Sequence, residues 1–310
     1  MNKRIIIGCL TLGLVMSNTG LCLADSGYTF TDDLGREVAV EQPERVAALI
    51  GSFADVWFQA GGTVCASAED AWEDFEFTMP KDAVNLGMTK EPSLEKLLSA
   101  QPDFIIASSR TRANMDMLDT LHATGIPTAY FEINVFEDYL DMLKVCTEIT
   151  GREDLYEENG LKVQEQIEEV IKKSEERLAE KEAPKVLVLV ASASSIRAKN
   201  SSSGVLGGML QDLGCINIAD SEANLLENLN VEYILKEDPD YIFTVQSGDD
   251  TEGTEKALQE LMGEGTAWSV LTAVKEGRVY HMDKRLYNLK PNARWGEAYE
   301  GLERILADES

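Results

Sequence analysis

The chain of 310 residues has few histidines, few cysteines and a shortage of basic residues. Two histidines accompany 28 lysines and arginines and 55 acidic residues, and the formal net charge is −27. Nucleic acid is therefore not expected as a partner, because binding it depends on neutralising phosphates with Lys and Arg. A site for a bare zinc or manganese ion is not expected either, because such sites ordinarily recruit several histidines.

Long apolar runs are missing from the body of the chain. A membrane-spanning helix needs about 20 apolar residues, and no run beyond the first two dozen residues reaches that length. The apolar stretch at 5–16 follows Lys3 and Arg4 and precedes Cys22-Leu23-Ala24, a layout typical of a secretory signal peptide over residues 1–24. We therefore expect an exported protein, located at the extracellular face of the cell membrane or in the periplasm.

The five cysteines follow no recognisable framework. Cys22 and Cys9 are both candidates for a lipid anchor, although Cys22 lacks a small residue before it and Cys9 leaves almost no apolar region. Cys65, Cys146 and Cys215 remain after export, odd in number and widely spaced. They are expected to be small buried residues and not disulfide partners or metal ligands.

An internal repeat indicates the architecture, and the length of the chain suggests roughly two domains of about 150 residues. Segments 93–106 and 230–243 align without a gap and share a glutamate, a Pro-Asp pair, an aromatic residue and an isoleucine. Each begins with a capping residue, Ser93 or Asn230, and continues as a short amphipathic helix that ends before a proline. A buried strand follows, so the chain is expected to contain two similarly built lobes.

Further strands alternate with helices on both sides of the repeat, which predicts parallel sheets covered on both faces. Residues 153–182 contain no proline, one glycine and apolar residues at helical spacing among many charges. The predicted fold class is α/β, with two Rossmann-like lobes at 25–152 and 183–310 joined by one long helix. The ligand cleft is expected between the lobes. Strands are predicted at Val46–Ile50, Phe104–Ala107, Thr128–Phe131, Lys185–Val190, Tyr241–Val245 and Val279–Met282.

Residues 30–50, the two repeat segments and the tail at 268–280 resemble the binding proteins that serve ABC importers for iron siderophores, haem and cobalamin. The resemblance implies two α/β lobes across a shallow cleft and one long helix that permits limited closure. It implies capture of a metal chelate, most of all a ferric siderophore, and delivery to a membrane permease by a monomer without a cofactor. Cobalamin or another corrinoid and haem are the alternatives. Haem is disfavoured, since Lys90 and Ser247 stand where haem-binding relatives present methionine and histidine.

Glu95 and Glu232 occupy equivalent places near the start of the two repeat helices. A carboxylate in the first turn stabilises a helix by about 0.3 to 1 kcal/mol, which is one explanation for both. The resemblance adds a second explanation, in which the glutamate on each lobe meets arginines of the permease. Retention of Glu in both copies while neighbours differ favours docking.

Ligands of α/β sheets bind beyond the carboxyl ends of the strands, and the loops there are rich in basic residues. Charges are screened over about 8 Å at physiological salt, so the overall negative charge does not cancel a local basic cluster. An anionic ligand is therefore expected. The predicted cations are Arg110 and Arg112, Arg197 and Lys199 in a serine-rich loop, and Arg285 and Arg294 after the last strand, where Lys284 and Lys290 also lie.

Three aromatic residues complete the predicted ligand set. Tyr287 lies among the last group of cations, and Trp57 and Trp72 are expected to contribute to an aromatic wall. Core packing is the alternative for each aromatic residue, and pairing with a nearby Asp or Glu is the alternative for each cation. Convergence of Arg110, Arg197 and Arg285 from both lobes favours the ligand site.

An exported α/β hydrolase-like enzyme is the competing class of protein. The chain has no G-x-S-x-G elbow, phosphate-binding loop or G-x-G-x-x-G fingerprint. A Ser-His-Asp triad would have to use His122 in a helix or His281 in a strand, and both are expected to be structural residues. No catalytic residues are therefore assigned, and the protein is expected not to be an enzyme.

Overall fold

The computed structural model describes residues 27–222 and 224–307. The predicted signal peptide, with Cys9 and Cys22, lies outside the described residues. The described part contains a small antiparallel hairpin and two five-stranded sheets, one in each half of the chain. None of its helices combines the length and apolarity that crossing a lipid bilayer requires.

The N-terminal lobe is built on a fully parallel sheet in the order β5-β4-β3-β6-β7. The hairpin of β1 and β2 precedes it, and Asp32 Oδ2 accepts a hydrogen bond from Tyr130 N at 3.1 Å, which ties the hairpin turn to β7. The strands are β1 Tyr28–Thr31, β2 Glu37–Val40, β3 Val46–Ala48, β4 Val64–Ser67, β5 Val84–Asn85, β6 Phe104–Ser108 and β7 Thr128–Phe131. The helices are α1 Gly51–Gln59, α2 Asp70–Glu73, α3 Leu94–Ser99, α4 Arg112–Asp116, α5 Leu118–Thr124 and α6 Phe136–Thr150.

The C-terminal lobe has a parallel sheet in the order β10-β8-β11-β12, and β9 pairs with β8 in the antiparallel sense. Near-continuous apolar strands such as β8 are buried on both faces, as the sequence predicts. The strands are β8 Lys185–Ser192, β9 Ser195–Lys199, β10 Ile216–Asn217, β11 Tyr241–Gln246 and β12 Val279–Met282. Before, among and after them lie α7 Glu153–Tyr156, α8 Lys162–Leu178, α9 Val205–Asp212, α10 Asn224–Glu227, α11 Val231–Glu237, α12 Thr251–Met262, α13 Thr272–Lys275, α14 Lys284–Tyr287 and α15 Trp295–Leu306.

The two copies of the repeat fold in the same way. Ser93 Oγ accepts a hydrogen bond from Lys96 N at 3.3 Å at the start of α3, and Asn230 Oδ1 accepts one from Tyr233 N at 3.1 Å at the start of α11. Each helix leads into a buried central strand, β6 or β11. The predicted caps and helix-to-strand units are therefore confirmed.

A helical segment from Glu153 to Leu178 joins the lobes, with a π-helical turn at Glu157–Leu161 between α7 and α8. Gly160 lies in this turn against α6, where an added Cβ would come within 2.7 Å of Leu140 Cδ1. The close approach of the two helices explains the one glycine in the segment. The helical segment ends at Leu178, four residues before the end of the predicted range 153–182.

The last helix packs beside the connecting helix. Arg177 binds Glu303 through two hydrogen bonds, Nε to Oε1 at 2.8 Å and Nη2 to Oε2 at 3.1 Å. At the start of α15, the Trp295 ring lies 6.2 Å from the Phe136 ring of α6 in an edge-on contact. One hydrophobic cluster consequently runs through both lobes and the connecting helix.

The three cysteines of the described residues, Cys65, Cys146 and Cys215, form no disulfide. Cys146 and Cys215 are buried and Cys65 is half-buried. Burial raises the pKa of the Cys215 thiol to about 12, which keeps it protonated. The expectation of small packing residues without disulfides is confirmed for these three.

Two adjacent glycines in α9 test how tightly the lobe is packed. A Cβ at Gly207 would lie 2.7 Å from Asn200 O and 3.0 Å from Ser201 Cα, whereas a Cβ at Gly208 would meet only Ser201 O at 3.8 Å. We expect Gly207→Ala to lower the free energy of unfolding by about 1 to 3 kcal/mol, because backbone has to move. Gly208→Ala is the control and should raise it by up to about 1 kcal/mol, since alanine favours helix.

Urea unfolding followed by circular dichroism measures both variants. Equal effects of the two substitutions would contradict the close contact between α9 and the 200–201 loop.

Candidate ligand-binding site

The strand order creates a topological switch point in each sheet. In the first sheet the chain runs from β3 to β4 and β5 on one side and then to β6 and β7 on the other. In the second sheet the corresponding point lies between β8 and β11. Ligands of open α/β sheets bind in the crevice outside the carboxyl ends of strands at such points. The loops after β3, β6, β8 and β11 therefore bound the candidate site.

A stretch of the C-terminal lobe, residues 283–294, reaches across to the first lobe, and we name it the bridging segment. Asp55 Oδ2 on α1 accepts hydrogen bonds from Arg285 Nη2 at 2.7 Å and from Asn292 Nδ2 at 2.8 Å. Asn292 is fully buried and also donates to Ser52 O at 2.9 Å. Further contacts join Ala293 N to Gln59 Oε1 at 3.2 Å, Lys284 Nζ to Asp74 Oδ1 at 2.9 Å and Arg294 Nη1 to Glu76 Oε1 at 3.3 Å.

The pair of Asp55 and Arg285 is almost completely removed from water, with side-chain exposures of 12% and 14%. Burial raises the pKa of Asp55 and lowers that of Arg285, and the attraction between the two charges opposes both shifts. The Arg285 guanidinium also lies 4.3 Å from the centre of the Phe75 ring. In this structure Asp55 is the partner of the Arg285 guanidinium, and the contact of Arg285 with the ligand stays a prediction.

Other predicted cations have weaker protein partners. Arg110 and Arg112 are 71% and 93% exposed, and ion pairs at such positions contribute about 0 to 1 kcal/mol. Their side chains are thus free to exchange partners. The ion pairs join Arg110 Nε to Glu132 Oε1 at 3.4 Å, Arg112 Nε to Asp116 Oδ2 at 3.7 Å and Arg294 Nε to Glu297 Oε2 at 2.7 Å.

Arg197 and Lys199 lie in a strand and not in the predicted serine-rich loop. Arg197 is opposite Val190 and Lys199 is opposite Val188 in the antiparallel pairing of β9 with β8. Directly opposed residues share a face of the sheet, so both cations lie on the face of these valines. Within the described part of the chain, neither side chain has a hydrogen bond or an ion pair.

The predicted aromatic wall is only partly available. Trp57 is 2% exposed, packs against Phe104 and donates from Nε1 to Thr63 O at 3.0 Å. Tyr287 is 6% exposed and its hydroxyl donates to Ala298 O at 3.0 Å. Both pack in the core, which is the alternative given for each aromatic residue, and their contact with the ligand stays a prediction. Trp72 is 38% exposed and remains open to a ligand.

Lys290 in the bridging segment is a cation that the predicted ligand set left out. Its ammonium makes no hydrogen bond and no ion pair with the residues that the structure describes. Burial lowers its pKa to about 8, although Asp138 and Glu132 of the first lobe oppose the shift. In the sequence, Lys290 stands out only by its position in the basic run after the last strand. No feature of the sequence distinguishes it there from Lys284 or Arg285.

Glu95 and Glu232 are both exposed in the first turns of their helices. Neither carboxylate forms an ion pair or hydrogen bond with the described residues. The two lobes therefore present equivalent unpaired carboxylates, at the repeat positions that the sequence indicates.

Metal ligands are not gathered in the described part of the chain, where no group of three or more His, Cys, Asp or Glu side chains could hold an ion. His281 Nδ1 lies 2.6 Å from Thr244 Oγ1 on the neighbouring strand, and His122 is exposed on α5.

This fold is that of substrate-binding proteins, and the chain belongs to the periplasmic binding protein family, whose match covers residues 46–286. The family consists of substrate-binding proteins and not of enzymes, which confirms the expectation that the protein has no catalytic role. The predicted resemblance and the predicted fold class are likewise confirmed.

Two relatives from Bacillus subtilis match most of the chain. YhfQ, assigned as an ABC transporter substrate-binding lipoprotein, is 26% identical over 94% of this chain and 93% of its own. The Fe(3+)-citrate-binding protein YfmC is 27% identical over 82% of this chain and 77% of its own. Among solved structures, Staphylococcus aureus SirA complexed with staphyloferrin B superposes with a TM-score of 0.70 at 22% identity, covering 90% of this chain and 98% of SirA. At this identity the structural likeness concerns the fold.

The buried pair between the lobes can be tested by a double-mutant cycle. We expect Asp55→Ala to lower the free energy of unfolding by about 3 to 5 kcal/mol, because it leaves the Arg285 charge buried without a partner. The double variant Asp55→Ala with Arg285→Met should lose less than the sum of the two single changes. Asp116→Ala, in an exposed pair with Arg112, is the control and should change stability by less than about 1 kcal/mol.

Denaturant unfolding gives the four free energies of the cycle. Additive losses at Asp55 and Arg285 would show that the pair does not couple the lobes.

Proposed function

We propose that this chain is the extracytoplasmic substrate-binding component of an ABC importer and that it captures an anionic ferric chelate. The observation that supports the ligand class is that Arg197, Lys199 and Lys290 lack a hydrogen-bond or ion-pair partner among the described residues, in a chain of net charge −27. Lys290 follows β12 on the carboxyl side of the C-terminal sheet, where ligands of such sheets bind, while Arg197 and Lys199 lie in β9, opposite Val190 and Val188 of β8. The relative named for Fe(3+)-citrate is consistent with a ligand rich in carboxylates.

The chemistry of the proposed ligand fits these side chains. Arginine presents a planar fork that gives two hydrogen bonds to a carboxylate or catecholate edge, and it stays charged at physiological pH. Arg110 and Arg112 supply such forks from the first lobe, and Arg197 supplies one from the second. Trp72 on α2 adds an exposed ring. We therefore assign the ligand to the space between β6 and β9, next to the bridging segment.

A ligand panel tests this assignment. Ferric citrate, a ferric siderophore, cyanocobalamin and haemin are titrated against the protein, with tryptophan fluorescence as the signal. A ligand present at 100 times its dissociation constant should stabilise the protein by about 2.7 kcal/mol. We expect the anionic ferric chelates to bind, and Arg110→Ala and Arg197→Ala to weaken binding by about 1 to 3 kcal/mol each, the value of a charged hydrogen bond.

Arg304→Ala is the matched control, because Arg304 is exposed on the amino-terminal side of the sheet. It lies two residues before Leu306, which lines the same surface cavity as Lys185 at the start of β8. Binding of a neutral corrinoid alone, or equal affinities of all variants, would contradict an anionic chelate as ligand.

The second part of the proposal concerns delivery. One relative is assigned as a lipoprotein, which supports a location outside the cytoplasm. Glu95 and Glu232 are proposed to meet basic residues of the permease, one from each lobe. Exposed ion pairs contribute about 0 to 1 kcal/mol each, which suits a contact that has to be released after delivery.

The docking glutamates are tested by the double variant Glu95→Ala with Glu232→Ala. Ligand affinity should stay unchanged, because neither carboxylate belongs to the proposed ligand-binding set of cations and Trp72, while uptake by cells should fall severalfold. Glu175→Ala with Glu255→Ala removes the same charge from exposed helix positions and should leave uptake intact. Loss of ligand binding in the isolated double variant at 95 and 232 would refute the docking role.

A further inference from the structure

The backbone around Lys290 is held from both lobes. Arg285, whose other nitrogen binds Asp55, donates from Nη1 to Lys290 O. Two residues before Lys290, Asn288 Nδ2 donates to Gln246 O at the end of β11 at 2.8 Å. Two residues after it, Asn292 is fully buried against α1. The main chain at this point therefore has little freedom to move relative to either lobe.

Pro291 adds to this restraint, since the residue before a proline is held in extended conformations. Pro291 itself is buried. A cation on such a rigid segment binds with less loss of conformational entropy than one on a mobile loop.

The ammonium of Lys290 is nevertheless unpaired among the described residues, although two carboxylates of the first lobe lie nearby. Both carboxylates are already engaged. Asp138 Oδ2 accepts hydrogen bonds from Asn134 N at 2.7 Å and Val135 N at 3.1 Å at the start of α6. Glu132 accepts one from Asn134 and pairs with Arg110. A rigid, partly buried cation without a partner is costly unless a ligand supplies the counter-charge.

We propose that Lys290 is the specificity-determining residue of the site, that its ammonium binds an anionic oxygen of the chelate, and that Arg285 is the positioning residue that holds it there. The inference rests on the proposed capture of an anionic chelate. It assigns different roles to two of the four basic residues of the bridging segment, Lys290 toward the ligand and Arg285 toward Asp55. Lysine suits this position because its compact point charge needs no planar partner.

The protonation of Lys290 gives a second consequence. Burial holds its pKa at about 8, and the charged groups that face it are Asp138, Glu132 and Arg110. Because the folded pKa is lowered, the ammonium is present below pH 8 and is lost as the pH rises through that value. Affinity for an anionic chelate should therefore fall between pH 7 and pH 9 in the wild-type protein.

The test compares Lys290→Met, Lys290→Arg and Arg285→Lys with wild type, using ferric citrate and a second anionic ferric chelate at pH 7 and pH 9. Lys290→Met should weaken binding about 10- to 100-fold at pH 7, the range for a charged hydrogen bond, and should lose the pH dependence. Lys290→Arg should keep most of the affinity and bind equally at both pH values, because guanidinium stays charged. Arg285→Lys should weaken binding severalfold and retain the fall toward pH 9.

Lys256→Met is the matched control, because it removes the same charge from an exposed position on α12. It should bind as wild type does, and thermal unfolding should show that Lys290→Met remains folded. Wild-type affinity and pH dependence in Lys290→Met, with chelates still bound, would overturn the role of Lys290 and leave the proposed function standing. Failure of wild type to bind any anionic chelate would overturn both.

Discussion

Asp55 is a carboxylate of the first lobe whose two strongest hydrogen-bond donors belong to the second. Removing such a charge from water costs several kcal/mol, and only donors placed with good geometry offset that cost. Arg285 and Asn292 provide them, and in doing so they fix where the bridging segment runs. The course of the main chain at Lys290 depends on that contact, because Arg285 also donates to Lys290 O.

The same contact limits how the lobes can move. The connecting helix alone would leave the lobes free to tilt, but α6, α8 and α15 share one hydrophobic cluster with both sheets. Phe136 of the first lobe and Trp295, directly after the bridging segment, are in contact between the lobes. Any wide opening would have to expose this apolar surface and the buried ion pair together. Small adjustments of exposed side chains such as Arg110 and Trp72 are a less costly way to admit a ligand.

Charge is distributed unevenly over the molecule. Screening over about 8 Å at physiological salt limits the range over which each exposed charge acts. Unpaired carboxylates at Glu95 and Glu232 and unpaired cations at Arg197 and Lys290 are thus able to act independently on different partners. An unpaired charge in a folded protein is one that no internal contact uses, which makes such side chains available for recognition.

The sequence by itself determined the repeat, the caps at Ser93 and Asn230, the two parallel sheets and the helical connector, since these follow from local periodicity and turn chemistry. It identified the basic run at 284–294, but it did not show which of these residues bind acidic residues of the protein and which stay without a partner. Spacing along a chain does not reveal that Asp55, some 230 residues earlier, engages Arg285, or that Tyr287 and Trp57 turn inward. β9 was also missed, because its serine-rich sequence resembles a loop. The segment is a strand only because its backbone pairs with β8. Only the tertiary structure decided which cations lack a counter-charge, because that depends on which carboxylates the fold brings within reach of each one.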